Sequence, residues 1–113
     1  MSKVFDRPIT IQKIDEITEN WSDVFTLHAS INKTKNGDEY LSGGAIQAKR
    51  NLTFEIRYFA KLEDISFNLQ SYRVVYQGVA YDLMDYDDYL MKHKTVKLLG
   101  VSYWVIQQYP LTN

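Results

Sequence analysis

Asp82, Asp85, Asp87 and Asp88 form the densest carboxylate cluster in this 113-residue chain. Acids at alternate positions can hold calcium, but an EF-hand loop also needs a glycine at its sharp turn and a bidentate glutamate at its end. Asp85-Tyr86-Asp87-Asp88 has neither. It reads as a solvated turn whose side chains bond nearby backbone. His28 and His93 do not make a metal set by their spacing. His28 falls on the polar side of an alternating run, with no carboxylate or second histidine at ligand spacing, which makes it a solvent-facing residue. Gly43-Gly44 does not complete a phosphate-binding loop, and no Gly-x-Ser-x-Gly elbow is present. The chain has no cysteine, which excludes disulfides, zinc thiolates and thiol catalysis. No cofactor is expected, and the residues nominate no enzyme. One basic grouping remains. Lys33, Lys35, Lys49 and Arg50 bracket a stretch whose acids are Asp38 and Glu39, leaving 33–50 with two surplus positive charges. Such bases can face a phosphate backbone or simply solvate a loop.

The elements that position these residues follow from composition and period. At 45% hydrophobic and 24% charged, the chain can bury a core as one domain over 1–113. A net charge of −1 gives no overall pull toward DNA or anionic lipid. No apolar run approaches a membrane span, and the N-terminus has no signal-peptide core. A soluble, intracellular protein with no membrane partner is therefore expected. Nine tyrosines, five phenylalanines and two tryptophans favour strands.

Ile9 and Ile11 alternate with Thr10 and Gln12 after Pro8, which suits the start of an edge strand. Residues 14–20 are polar and read as a hairpin loop. Phe25, Leu27, Ala29 and Ile31 then alternate with polar residues, a strand with one buried face. Residues 34–48 break the pattern between Asn36-Gly37 and Gly43-Gly44, and 38–42 read as one helical turn or irregular chain. Leu52, Phe54, Ile56 and Tyr58 restore the alternation. Residues 61–71 read as a connection with one extra short strand, anchored by Leu62, Ile65, Phe67 and Leu69. Tyr72–Tyr76 and Val79–Tyr86 flank Gln77-Gly78, a tight-hairpin signal. Residues 94–101 give a third strand of this meander. The aromatic run 102–109 stays strand-like until Pro110, as an added edge strand or a docking arm.

The pattern predicts an all-β fold: a small partly closed barrel or sandwich of about six to seven mostly antiparallel strands, with a long loop after the second. Its inner face should include Phe25, Leu27, Ile31, Leu52, Phe54, Ile56, Val74, Leu83, Val96 and Leu98.

Several segments, in order, resemble the phage head–tail joining family, the adaptor or head-closure (stopper) proteins of long-tailed phages. Arg7-Pro8-Ile9-Thr10-Ile11-Gln12 resembles its opening strand, and Trp21-Ser22-Asp23-Val24 its lead into the second. Thr53-Phe54-Glu55-Ile56-Arg57-Tyr58 resembles its central strand. Arg73-Val74-Val75-Tyr76, Gly78, Tyr81-Asp82-Leu83 and Val96-Lys97-Leu98-Leu99 resemble its C-terminal half. The likeness spans 7–101 and leaves 102–113 as an extension.

The resemblance implies a structural virion protein at the neck, made in the host cytoplasm, which binds below the portal and its adaptor ring. It would close the DNA channel after packaging and offer the tail its attachment surface. It implies self-association into a ring in the virion, from a subunit that can be monomeric alone. Contact with packaged DNA would run only through the channel loop: Lys35, Asn36, Gly37, Asp38, Glu39, Tyr40, Leu41, Gly43 and Gly44, with Lys33, Lys49 and Arg50 as channel-facing bases. Two alternatives stand beside this reading. One is a tail-completion or other neck component. The other is a small β-barrel for single-stranded nucleic acid, which needs exposed tyrosines beside a basic groove.

Overall fold

The structure, a computed structural model, describes residues 4–33, 39–42, 45–88 and 91–106, with the strand residues 39–42, 45–49 and 103–106 described by their backbone. In chain order it contains β1 (Arg7–Ile14), β2 (Trp21–Lys33), β3 (Glu39–Ser42), β4 (Ala45–Arg57), α1 (Glu63–Phe67), β5 (Tyr72–Tyr76), β6 (Val79–Asp87) and β7 (Thr95–Ile106). Short 3₁₀ turns at Ala60–Leu62 and Leu69–Ser71 flank α1.

All pairings are antiparallel, in the order β2-β1-β5-β6-β7-β4-β3. The sheet closes because β2 is long enough to serve two partners. Its first part pairs with β1, from Ile14↔Trp21 to Arg7↔Ala29. Its last part pairs with β4, from Ser30↔Glu55 to Lys33↔Leu52. Six strands thus make a barrel with no open edge, which removes the usual template for aggregation. The seventh, β3, stays outside on β4.

Alternation fills the interior. Ile9, Ile11, Ala29, Phe54, Ile56, Val74, Tyr81, Val96 and Leu98 are at most 2% exposed. Of the expected inner face, Leu52 and Leu83 are also buried, while Phe25, Leu27 and Ile31 are partly buried and packed against the core. Phe54 meets Tyr81 edge-to-face at 5.4 Å between ring centroids. Gly100 makes this possible. A Cβ there would lie 2.9 Å from both the Phe54 ring and the Tyr81 Cβ.

Two bulges explain where the alternation slips. Ile11 pairs with Phe25 but Gln12 pairs with Asp23, so Val24 is skipped and turned outward. Leu83 pairs with Gly100 but Asp85 with Leu99, so Met84 is skipped and Tyr86 regains the inner face. Gln77 and Gly78 take φ of 51° and 79°, both positive, as a type I′ turn requires.

Three expectations change. Residues 39–42 are neither helical nor irregular; they form β3, and 45–48 are the start of β4. Residues 61–71 hold α1 and the 3₁₀ turns in place of an extra strand. The reason is a change of period. Leu62 and Ile65 stand three apart, on one face of a helical turn, and both are 0% exposed. Phe67 lies off that face and is 82% exposed, so it anchors nothing in the barrel. Residues 102–106 continue β7 along β4, to Ile46↔Ile106; residues 107–109 lie outside the described chain.

Candidate functional site

The register gives the barrel two unlike ends. At one end the chain passes through the 15–20 turn, the 58–71 connection and the 88–94 turn. Here Leu62 and Ile65 fill the barrel mouth. At the other end β4 and β7 run on past the seam. β2 stops pairing with β4 at Leu52, and β6 stops pairing with β7 at Val101. Beyond those points β3, β4 and β7 form a three-stranded ribbon that projects from the barrel.

This arm is where the expected channel loop falls. Glu39, Tyr40 and Leu41 lie in β3, paired with Ala48, Gln47 and Ile46. Lys33 ends β2 and is exposed, and Lys49 and Arg50 lie in β4, where Arg50 is exposed. Lys35, Asn36, Gly37, Asp38, Gly43 and Gly44 lie outside the described residues. The ribbon therefore brings β3 and the bases of β4 onto one projection, with β3 as the terminal strand of the sheet.

The closed end is tied by side chains. Asp64 on α1 accepts hydrogen bonds from the Tyr72 hydroxyl, from Lys13 Nζ at 3.4 Å and from Asn68 Nδ2 at 3.0 Å. The Tyr72 hydrogen bond, first, holds the Asp64 carboxyl below its ordinary value, with Lys13 and Asn68 adding to it. Tyr58 donates to Glu63 and stacks on the His93 ring at 4.3 Å. The Glu63 carboxylate, before burial, pushes the Tyr58 hydroxyl up to about 12. Asp88 Oδ2 lies 2.5 Å from His93 Nδ1, and Asp88 Oδ1 accepts from the His93 backbone N–H at 2.9 Å. The aspartate is thus a brace for a turn in which Met91 and His93 both have positive φ. Burial pushes Tyr86 up to about 12, helped by the negative charges of Asp88 and Glu63. Its hydroxyl is buried without a hydrogen-bond partner among the described residues.

A histidine held by an aspartate beside a cleft can serve as a general base, but only for a nucleophile within reach. Ser66 lines the same cleft as His93. Its hydroxyl donates instead to the Glu63 carbonyl at 2.6 Å. Among the described residues no group of three metal-ligating side chains converges. The Asp cluster separates accordingly: Asp82, Asp85 and Asp87 face solvent on β6, while Asp88 braces the turn. Sequence reasoning missed the Asp88–His93 brace because its members stand five apart across a turn, a spacing with no standard signature. His28 is exposed on β2.

The five tyrosines with described side chains, Tyr58, Tyr72, Tyr76, Tyr81 and Tyr86, are buried or half-buried. They pack against the core and offer no exposed stacking platform of the kind a single-strand binder uses. On the outer face Arg73 stacks over Trp21 at 4.3 Å and donates to Gln12 at 2.7 Å. Gln12 in turn donates to Asp23 at 2.9 Å. This row pins β5, β1 and β2 together.

A family model described as phage head completion protein matches residues 4–100. The match takes in the whole barrel and most of the arm. No curated protein matches the chain.

Proposed function

We propose, because the chain belongs to the phage head completion protein family, that it closes the DNA channel at the virion neck and provides the surface to which the tail attaches. The family is structural and is not a known enzyme family. A structural part at the neck follows from that membership. The match over 4–100 carries the reading, and the arm supports its finer part. A ribbon attached by main-chain pairing can reach away from a rigid barrel while the barrel sits in a ring. In this reading residues 34–48 reach the channel axis, where they obstruct the DNA or grip a neighbouring subunit. The portal-side adaptor and a tail protein are the partners. Copies of the chain assemble around the channel through heterologous contacts, and β3, as the terminal strand, offers a sheet edge for one of them. Fixing a subunit in a ring costs translational and rotational freedom that ring contacts must offset, so a monomer in dilute solution is compatible with a ring in the virion.

Electron microscopy of particles from a source phage lacking this gene tests the reading. Separate tails beside heads that have lost their DNA are expected. DNA-filled heads beside free tails would leave tail attachment without the plug. Normal tailed particles would remove the neck role altogether.

A further inference from the structure

Among the described residues the three most exposed large apolar side chains all lie at the closed end: Ile17 at 93%, Phe67 at 82% and Met91 at 76%. The backbone at each is hydrogen-bonded or helical. Asp15 Oδ1 accepts from the Ile17 N–H at 2.8 Å and the Thr18 N–H at 3.2 Å. The Asp15 N–H donates to the Asn20 carbonyl at 2.8 Å, and the Glu19 N–H to the Asp15 carbonyl at 2.6 Å. The tip of this turn is therefore held with Ile17 pointing out. Phe67 is the last residue of α1. The Met91 N–H donates to the Asp88 carbonyl at 2.8 Å. Phe67 and Met91 line one cleft of about 380 Å³ with Glu63, Asp87 and Asp88. Ile17 lines a second, of about 440 Å³, that reaches Asn68 and Ser71 just after α1.

An apolar side chain carried on backbone that is already held has only its rotamers left to order on binding, which lowers the cost of using it as an interface anchor. The surrounding charge selects the partner. The closed-end segments 13–20, 61–71 and 85–94 carry eight acids against four lysines, whereas 33–50 carries four bases against two acids. The chain is thus polarised, although its net charge is only −1. An acidic surface repels nucleic acid and complements a basic one.

We infer that the closed end, with Ile17, Phe67 and Met91 as its anchors, is a protein-docking face. Its occupant is an adjoining neck protein that presents an apolar socket framed by lysine or arginine side chains. The face is turned away from packaged DNA, and the basic arm is turned toward it. This inference rests on the neck reading above and adds to it the surface and the chemistry of the contact.

Complementation of the gene-deleted phage separates the two claims. If the wild-type gene fails to restore infectious particles, the neck reading falls. If it restores them, three variants are compared with it: Ile17→Ser, the double variant Phe67→Ser/Met91→Ser, and Glu16→Lys. Because all four positions are exposed, the purified variants should melt within about 3 °C of the wild type. Each should lower the infectious titre by at least about tenfold, with unjoined heads and tails accumulating. Glu16→Lys keeps the test open if Ile17→Ser disturbs its turn, since it reverses charge beside the anchor without removing apolar surface. Wild-type titres from Glu16→Lys and the double variant would overturn the inference. So would crosslinking of the closed end to DNA in intact particles.

Discussion

The two ends of this barrel are built by different means. The closed end is held by side chains, with Leu62 and Ile65 filling the mouth. Asp64 draws Lys13, Tyr72 and Asn68 together. Asp88 clasps His93. A five-residue helix such as α1 has no stability of its own, so these contacts are what keep it folded. The arm is held by main-chain hydrogen bonds, from Ser42↔Ala45 to Glu39↔Ala48 on one side of β4 and on to Ile46↔Ile106 on the other. A ladder depends little on side-chain identity, so the arm is free to vary its chemistry while keeping its reach. The closed end has fixed chemistry and a fixed shape.

That contrast predicts a clean separation of function from stability. Deleting residues 36–44 removes β3 but touches no residue of the closed core. The purified barrel should still melt cooperatively near the wild-type temperature, while complementation of a gene-deleted phage should fail through loss of packaged DNA. Retention of DNA by particles carrying the deletion would break the link between arm and channel.

The converse experiment acts on the closed end. Ile65→Ala should cost about 2–5 kcal/mol, because a fully buried side chain is removed from a barrel mouth that cannot collapse around the gap. Urea unfolding would show it as a lower midpoint with an unchanged slope. A loss below about 0.5 kcal/mol, the range of ordinary surface changes, would mean that α1 is decoration and not a plug. Gly100→Ala probes the seam where barrel gives way to arm. The added methyl would crowd the Phe54 ring and the Tyr81 Cβ, neither of which is the far end of a flexible chain. Overpacking of this kind costs about 1–3 kcal/mol.

How legible each end is in the sequence follows from the same difference. Period-two alternation in Phe25–Ile31, Leu52–Ile56 and Val96–Leu98 places the core strands, and Gln77-Gly78 places their tightest turn. The all-β barrel is readable because each strand reports its own buried face. β3 and the start of β4 are less so. A ribbon outside the barrel has no core face to enforce alternation, so 39–48 leaves no period to read. The closed end is hidden for another reason. Lys13 and Asp64 lie 51 residues apart, and Gln12 and Arg73 61 apart. Contacts of that separation exist only once the strands are in register. Phe67 shows the limit most plainly, since an apolar residue among apolar anchors looks buried until the helical period places it outside.

The smallest expected effects are on pH dependence, and they too belong to the closed end. Tyr58 and Tyr86 have folded values raised from 10.0 to about 12. Their contribution to stability is whole below 10, where the unfolded tyrosines are still neutral, and is lost as pH rises from there through about 12. Asp64 works in the opposite sense. Its folded value is lowered from 3.8, so its contribution is present above that and lost as pH falls through the folded value. Melting temperature followed against pH should therefore decline on both flanks. Tyr58→Phe should flatten the alkaline flank, because phenylalanine cannot ionise, and Asp64→Asn should flatten the acid one. Deletion of 36–44 should leave both flanks as they are, since none of the three groups lies in the arm. If that deletion changed the profile as much as Tyr58→Phe does, the two ends would be coupled and not independent.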